Sequence, residues 1–143
     1  MAQESIVYGC IRDELFVENG EQAERRRAAN RAALARLPSV EEWPLLAREM
    51  FTTPAGGFML DGPHTYVVAF GSAYRGVEYE WEQWIERFES LLAQMYWVTA
   101  TVHLETELSG THIFTWSAAT GQHEPSKGPL AMRCEWTRES ACS

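Results

Sequence analysis

His103, Glu105, Glu107 and His112 come nearest to a reaction centre in type and spacing. His103 and Glu105 stand two apart in an alternating run, so on a strand they point to one face. A two-residue turn at Ser109-Gly110 sets Glu107 opposite His112, Glu105 opposite Phe114 and His103 opposite Trp116. Two imidazoles and two carboxylates bind zinc when their ligating atoms converge to about 2.0–2.2 Å from the ion. On a flat hairpin His103 and His112 lie on opposite arms, too far apart to chelate one ion. A cross-strand Glu107–His112 charge pair is therefore expected, and no metal. Cys10 with His64 or His103 has the residue types of a thiolate pair, but no local spacing draws them together. The phosphate-loop, dinucleotide and nucleophile-elbow patterns are absent. No catalytic residue, cofactor or enzymatic activity is expected.

The other distinctive residues suit recognition. The run Val77-Glu-Tyr-Glu-Trp-Glu-Gln-Trp-Ile-Glu-Arg-Phe-Glu89 alternates acids with large aromatics. At 100° per residue, Glu78, Glu82, Glu86 and Glu89 project within about 80° of one another on a helix. A hairpin face with Glu105, Glu107, Phe114 and Trp116 forms a second acidic, aromatic surface. Tyr79, Phe114 and Trp116 are costly to expose without a purpose, and aromatic anchors ringed by charge are how tight interfaces are built. The expected partner-binding set is Glu78, Tyr79, Glu82, Glu86, Glu89, Glu105, Glu107, Phe114 and Trp116. If the long helix covers that hairpin face instead, its aromatics belong to the core.

These surfaces need elements to carry them. Residues 5–12 read as a first strand, with Gly9 marking a bulge. A helix over 21–37 follows, acidic at its start and arginine-rich later, stopped by Leu37-Pro38. Its apolar face is thin (Ala23, Ala33, Leu34, Leu37), so it should pack on the rim. Arg25, Arg26, Arg27, Arg31 and Arg36 should then be solvated and matched to the helix dipole. A phosphate-binding role for these five arginines is the less economical reading. Ser39-Val-Glu-Glu42 has capping-box spacing. Pro44 fits better as the first residue of a later, shorter helix, and a strand over 46–51 is the alternative. Residues 53–57 and 61–63 read as loops, 66–70 as a short strand, and 71–76 as a glycine-bounded loop. Glu78 and Glu80 would repel an anion from the next helix N-terminus. That helix spans 77–95, with Val77, Trp81, Trp84, Ile85, Phe88, Leu91, Leu92 and Met95 on one face about 120° wide. The hairpin, a loop over 121–129 and a last strand over 130–136 complete the chain, and residues beyond Arg138 should fray. The expected fold is α+β in two layers: an antiparallel sheet packed by one long amphipathic helix, plus a peripheral helix.

With 143 residues the chain is expected to form one domain over 1–143. Such a length buries about 68–70% of its unfolded surface and needs no disulfide or metal staple. Net charge is −8, from 20 acids against 12 bases. That sign argues against nucleic acid and anionic membrane, whose binders use basic patches. It favours a basic protein partner. Cys10, Cys134 and Cys142 lack Cys-x-x-Cys spacing and fit a reducing compartment, with Cys10 and Cys134 as small buried hydrophobes in strands. Met1-Ala-Gln-Glu-Ser5 has no charged-then-apolar leader, and no apolar run approaches the ~20 residues of a membrane span. A cytoplasmic location is expected.

Ser5-Ile-Val-Tyr-Gly9, Arg48-Glu-Met-Phe51, Gly76-Val-Glu-Tyr-Glu-Trp81, Tyr96-Trp97, His103-Leu-Glu-Thr-Glu-Leu-Ser-Gly-Thr-His112 and Arg133-Cys-Glu-Trp136 span nearly the whole chain. Together they resemble a family of small cytoplasmic immunity proteins encoded beside Rhs-type polymorphic toxins of bacterial type VI secretion. The resemblance implies a stoichiometric inhibitor whose partner is the cognate toxin domain. It does not identify the toxin's activity. A toxin acting on NAD or nucleic acid, such as an ADP-ribosyltransferase or a nuclease, would usually carry a basic cleft that an acidic surface can plug.

Overall fold

The computed structural model describes residues 4–15, 20–43, 45–52, 64–107, 109–118, 123–125, 130 and 132–137. The expected loops over 53–57 and 61–63, the fraying beyond Arg138, Pro44 and Cys142 lie outside the described residues. So does most of the 121–129 loop.

The elements run β1 (Glu4–Leu15), α1 (Gly20–Ala35), a 3-10 turn (Arg48–Met50), β2 (Phe51–Thr52) and β3 (His64–Arg75). A second 3-10 turn (Val77–Glu80), α2 (Trp81–Ala93), β4 (Thr99–Thr106), β5 (Gly110–Ser117) and β6 (Met132–Thr137) follow. Six antiparallel strands form one sheet in the order β2-β3-β1-β4-β5-β6. The fold is α+β, as the order of periodic segments implies.

Both helices contribute to one core on one face of the sheet. From β1 it takes Val7 and Ile11, from β4 Ala100, Val102 and Leu104, and from β5 Phe114 and Trp116. On α2 the expected face is buried at Trp84, Phe88, Leu91 and Leu92, while Trp81 and Ile85 are partly covered. Phe88 sits at the centre, its ring 5.4 Å from Phe70 and 5.1 Å from Trp116. Buried indoles need acceptors. Trp97 donates to the Leu92 carbonyl at 2.8 Å, and Trp116 to Glu89 Oε2 at 2.9 Å.

Helix α1 is tied into the molecule by polar groups more than by its thin apolar stripe. Arg26 is buried, not solvated, and forms a two-point pair with the buried Asp13 of β1. Its guanidinium also lies 4.7 Å over the Tyr96 ring. One turn on, buried Asn30 accepts from the Tyr96 backbone N–H (2.8 Å) and donates to its carbonyl (3.0 Å). An arginine buried in this way needs its charge matched, and an acid thirteen residues away in sequence supplies the match. Ala33 and Leu34 are buried as expected, and Arg25, Arg31 and Arg36 are exposed.

Strand β3 overruns its expected length. Residues 71–75 continue the ladder, with Ser72 opposite Val7 and Tyr74 opposite Ser5. Inward-facing Tyr74 explains the extension. Its hydroxyl donates to the Leu45 carbonyl and accepts from the Trp84 indole, and burial raises its pKa above the ordinary 10.0. Only at Gly76 (φ +69°) does the chain turn left-handed and leave the sheet. Val77 N–H then donates to Ser5 Oγ at 3.2 Å, and the first turn winds as a 3-10 helix. Ser39 and Glu42 do make reciprocal capping-box bonds, but they close an isolated turn. The stretch after it holds the short 3-10 turn and two-residue β2, so it follows neither the helix from Pro44 nor a full strand over 46–51.

Candidate functional site: an acidic ridge on the second helix

The hairpin register decides which residues can meet a partner. Gly110 pairs with Thr106, so Phe114 faces Val102 and Trp116 faces Ala100. This is three residues away from the expected pairing. Two local features hold it. Gly110, the first residue of β5, adopts φ +83°, a left-handed conformation that glycine takes without steric cost. The Thr106 hydroxyl accepts from Ser109 N–H at 2.9 Å. An odd shift moves a whole strand's side chains to the other face. Phe114 (7% exposed) and Trp116 (0%) are consequently core residues, not partner contacts.

The same shift separates the two histidines. His103 and Glu105 point away from the helices, with His103 stacked 4.7 Å from Tyr8. His112 leaves β5 on the helix side, its Nε2 3.0 Å from Ser109 Oγ. Glu107 stands exposed in the turn and is not opposite His112. The four-residue face expected of His103, Glu105, Glu107 and His112 does not form. Among the described residues, no group of three or more His, Cys, Asp or Glu is placed to hold a metal ion. Cys10 and Cys134 are also not the buried hydrophobes expected. Cys10 is half-buried on the outer face of β1, and Cys134 is exposed on edge strand β6.

Burial pushes the His112 pKa below its ordinary 6.5. The unfolded chain then binds more protons than the folded one between these two values. His112 therefore contributes stability above pH 6.5 that is lost as pH falls through the folded pKa. Denaturant midpoints should drop as the pH falls below 6.5, and less so in His112→Asn. An equal drop in both proteins would show that His112 is not the titrating group.

A ridge along one side of α2 remains. Tyr79 is 82% exposed, the most exposed large hydrophobic side chain among the described residues. Around it Glu80, Glu82 and Glu86 are exposed and Glu78 is half-buried. Glu78 Oε1 is buried without a hydrogen-bond partner among the described residues. Glu89 does not join them, because its carboxylate is committed to the Trp116 indole. Glu80 was not legible as a member. On a continuous α-helix it falls about 40° from buried Trp84. The 3-10 winding of its turn, at three residues per turn, brings it out. Ser5 both receives the Val77 N–H and pairs with Thr106, so this ridge begins at the end of the sheet that carries Glu107. Glu105 is half-exposed on the open face of the sheet, opposite Ile6.

The ridge is a cluster of negative charge around one exposed ring, running from the 3-10 turn Val77–Glu80 onto the start of α2. Such a surface raises encounter rates with a cationic protein and selects against anionic ones. No helix among the described residues is long and apolar enough to cross a membrane. No family model matches the chain, and neither a curated protein nor a solved structure matches it.

Proposed function

We propose that this chain is a cytoplasmic immunity protein that binds a cognate antibacterial toxin domain and neutralises it by occluding its active site. The observation that carries this reading is Tyr79, 82% exposed and set among Glu78, Glu80, Glu82 and Glu86. The net charge of −8 and the resemblance to Rhs-associated immunity proteins support it. In this reading the contact set is Glu78, Tyr79, Glu82 and Glu86, extended by Glu80 and Glu107. A toxin acting on NAD or nucleic acid would supply the basic cleft. The metal-binding or enzymatic alternative through His103, Glu105, Glu107 and His112 is not favoured, because His103 and Glu105 leave the sheet on one face, His112 leaves it on the other and Glu107 stands in the turn.

Co-expression with the toxin of the neighbouring gene tests the class: growth rescue together with a stable complex is expected. Within that complex, Glu82→Lys combined with Glu86→Lys should weaken affinity by about tenfold or more, roughly 1.4 kcal/mol. The association rate should fall, and the complex should become less sensitive to salt, because screened surface charge acts on encounter. A double variant with wild-type affinity and salt slope would remove the ridge from the interface.

A further inference from the structure

The acidic molecule gathers three arginines around one hollow on the side of α2 that faces α1. Arg36 at the end of α1, Arg48 before β2 and Arg87 on α2 line it together with Trp43. Its inner part has a volume of about 150 Å³ and an apolar wall that includes Ala33, Leu46 and Leu91. It opens into an outer part of about 450 Å³.

Arg36 and Arg87 are held by neutral partners. Arg87 lies 4.8 Å over the Trp43 ring. Arg36 donates from Nε and Nη2 to Gln94 Oε1, at 3.2 and 2.9 Å. Arg48 donates to the Leu37 carbonyl at 3.2 Å. None of the ion pairs among the described residues includes Arg36 or Arg87. Glu42 also borders the outer part, but its carboxylate is turned to Ser39. Arg48 alone has a carboxylate nearby, Glu49 at 3.7 Å. Glu49 in turn accepts from Val40 N–H.

Arg36 and Arg87 are like charges with no ion-pair partner among the described residues, and Arg48 adds a third whose nearest carboxylate, Glu49, lies 3.7 Å away. Guanidinium forks match phosphate oxygens in pairs. Fixing the side chains beforehand lowers the entropic cost of binding. We propose that this hollow is a binding site for a compact phosphate monoester. Arg36, Arg48 and Arg87 take the phosphate, and the small organic part lies against the apolar wall. A bare phosphate ion would leave that wall unfilled and bind more weakly.

The test uses the isolated full chain, so it reads independently of any toxin. Ribose 5-phosphate and inorganic phosphate are titrated at constant ionic strength set with chloride, followed by calorimetry and by the Trp43 indole N–H resonance. The expected result is saturable binding of ribose 5-phosphate with a dissociation constant of about 1 mM or tighter, and weaker binding of inorganic phosphate. Arg87→Gln and Arg36→Gln should each weaken binding about tenfold or more, and Arg87→Lys by less. No saturation at about ten times that concentration overturns the site, as does binding that the glutamine variants leave unchanged. Equal affinity for the two ligands overturns the monoester assignment.

Discussion

Asp13→Ala is expected to lower the unfolding free energy by about 3–5 kcal/mol, a large part of the 5–15 kcal/mol typical of a domain. The variant leaves the Arg26 guanidinium buried without its carboxylate, since the two side chains are only 9% and 2% exposed. Desolvation has already cost the arginine its water, and the Tyr96 ring supplies only a fraction of what the carboxylate did. The paired replacement Asp13→Leu with Arg26→Met should behave differently. It removes both charges and fills the volume, and such exchanges run from neutral to stabilising by about 1–4 kcal/mol. Urea unfolding of the three proteins checks both statements. If the single variant costs no more than a surface substitution, the pair is not what docks α1 on the sheet.

Gly9→Ala is expected to destabilise by about 3 kcal/mol or more, at the upper end of overpacking effects. A Cβ at Gly9 would lie 2.0 Å from the Thr101 carbonyl oxygen and 2.9 Å from the Phe70 ring. The oxygen is backbone of the neighbouring β4, so it cannot swing aside as a side chain would. β1 lies between β3 and β4 in the sheet, so either the ladder opens or Phe70 loses its place against Phe88 and Trp84. The opposing gain from a stiffer unfolded chain is only about 0.4–1 kcal/mol. Gly71→Ala is the control. Its Cβ would meet nothing closer than 3.5 Å, so the entropic gain should dominate and stability should rise slightly. Equal denaturant midpoints for the two variants would refute the close approach.

Gly9 also illustrates how far sequence reading reaches. A glycine inside a strand signals either a bulge or a tight approach of another backbone. The spacing pointed to the bulge, yet the pairing of β1 runs unbroken past Gly9 on both sides. Only the neighbouring strand distinguishes the two cases. Glycines at both ends of 71–76 likewise suggested a loop, whereas the inward-facing Tyr74 keeps most of that stretch in the sheet. The five arginines of the helix expected over 21–37 looked alike by position. One of them is buried on Asp13, and another helps line the hollow against α2.

What the amino-acid order determined by itself is whatever local periodicity encodes. The apolar face of α2, the alternation of β4, the α+β order of elements and the exposure of Tyr79, Glu82 and Glu86 all follow from spacings of two, three and four residues. Tertiary structure alone decided the hairpin register, and with it the burial of Phe114 and Trp116, the separation of His103 from His112 and the diversion of Glu89 to an indole. The physical reason is that a strand's side-chain period is two. The alternation within each strand is the same in every register, and the choice between faces falls to a left-handed glycine, a threonine hydroxyl and the helix packed against the sheet.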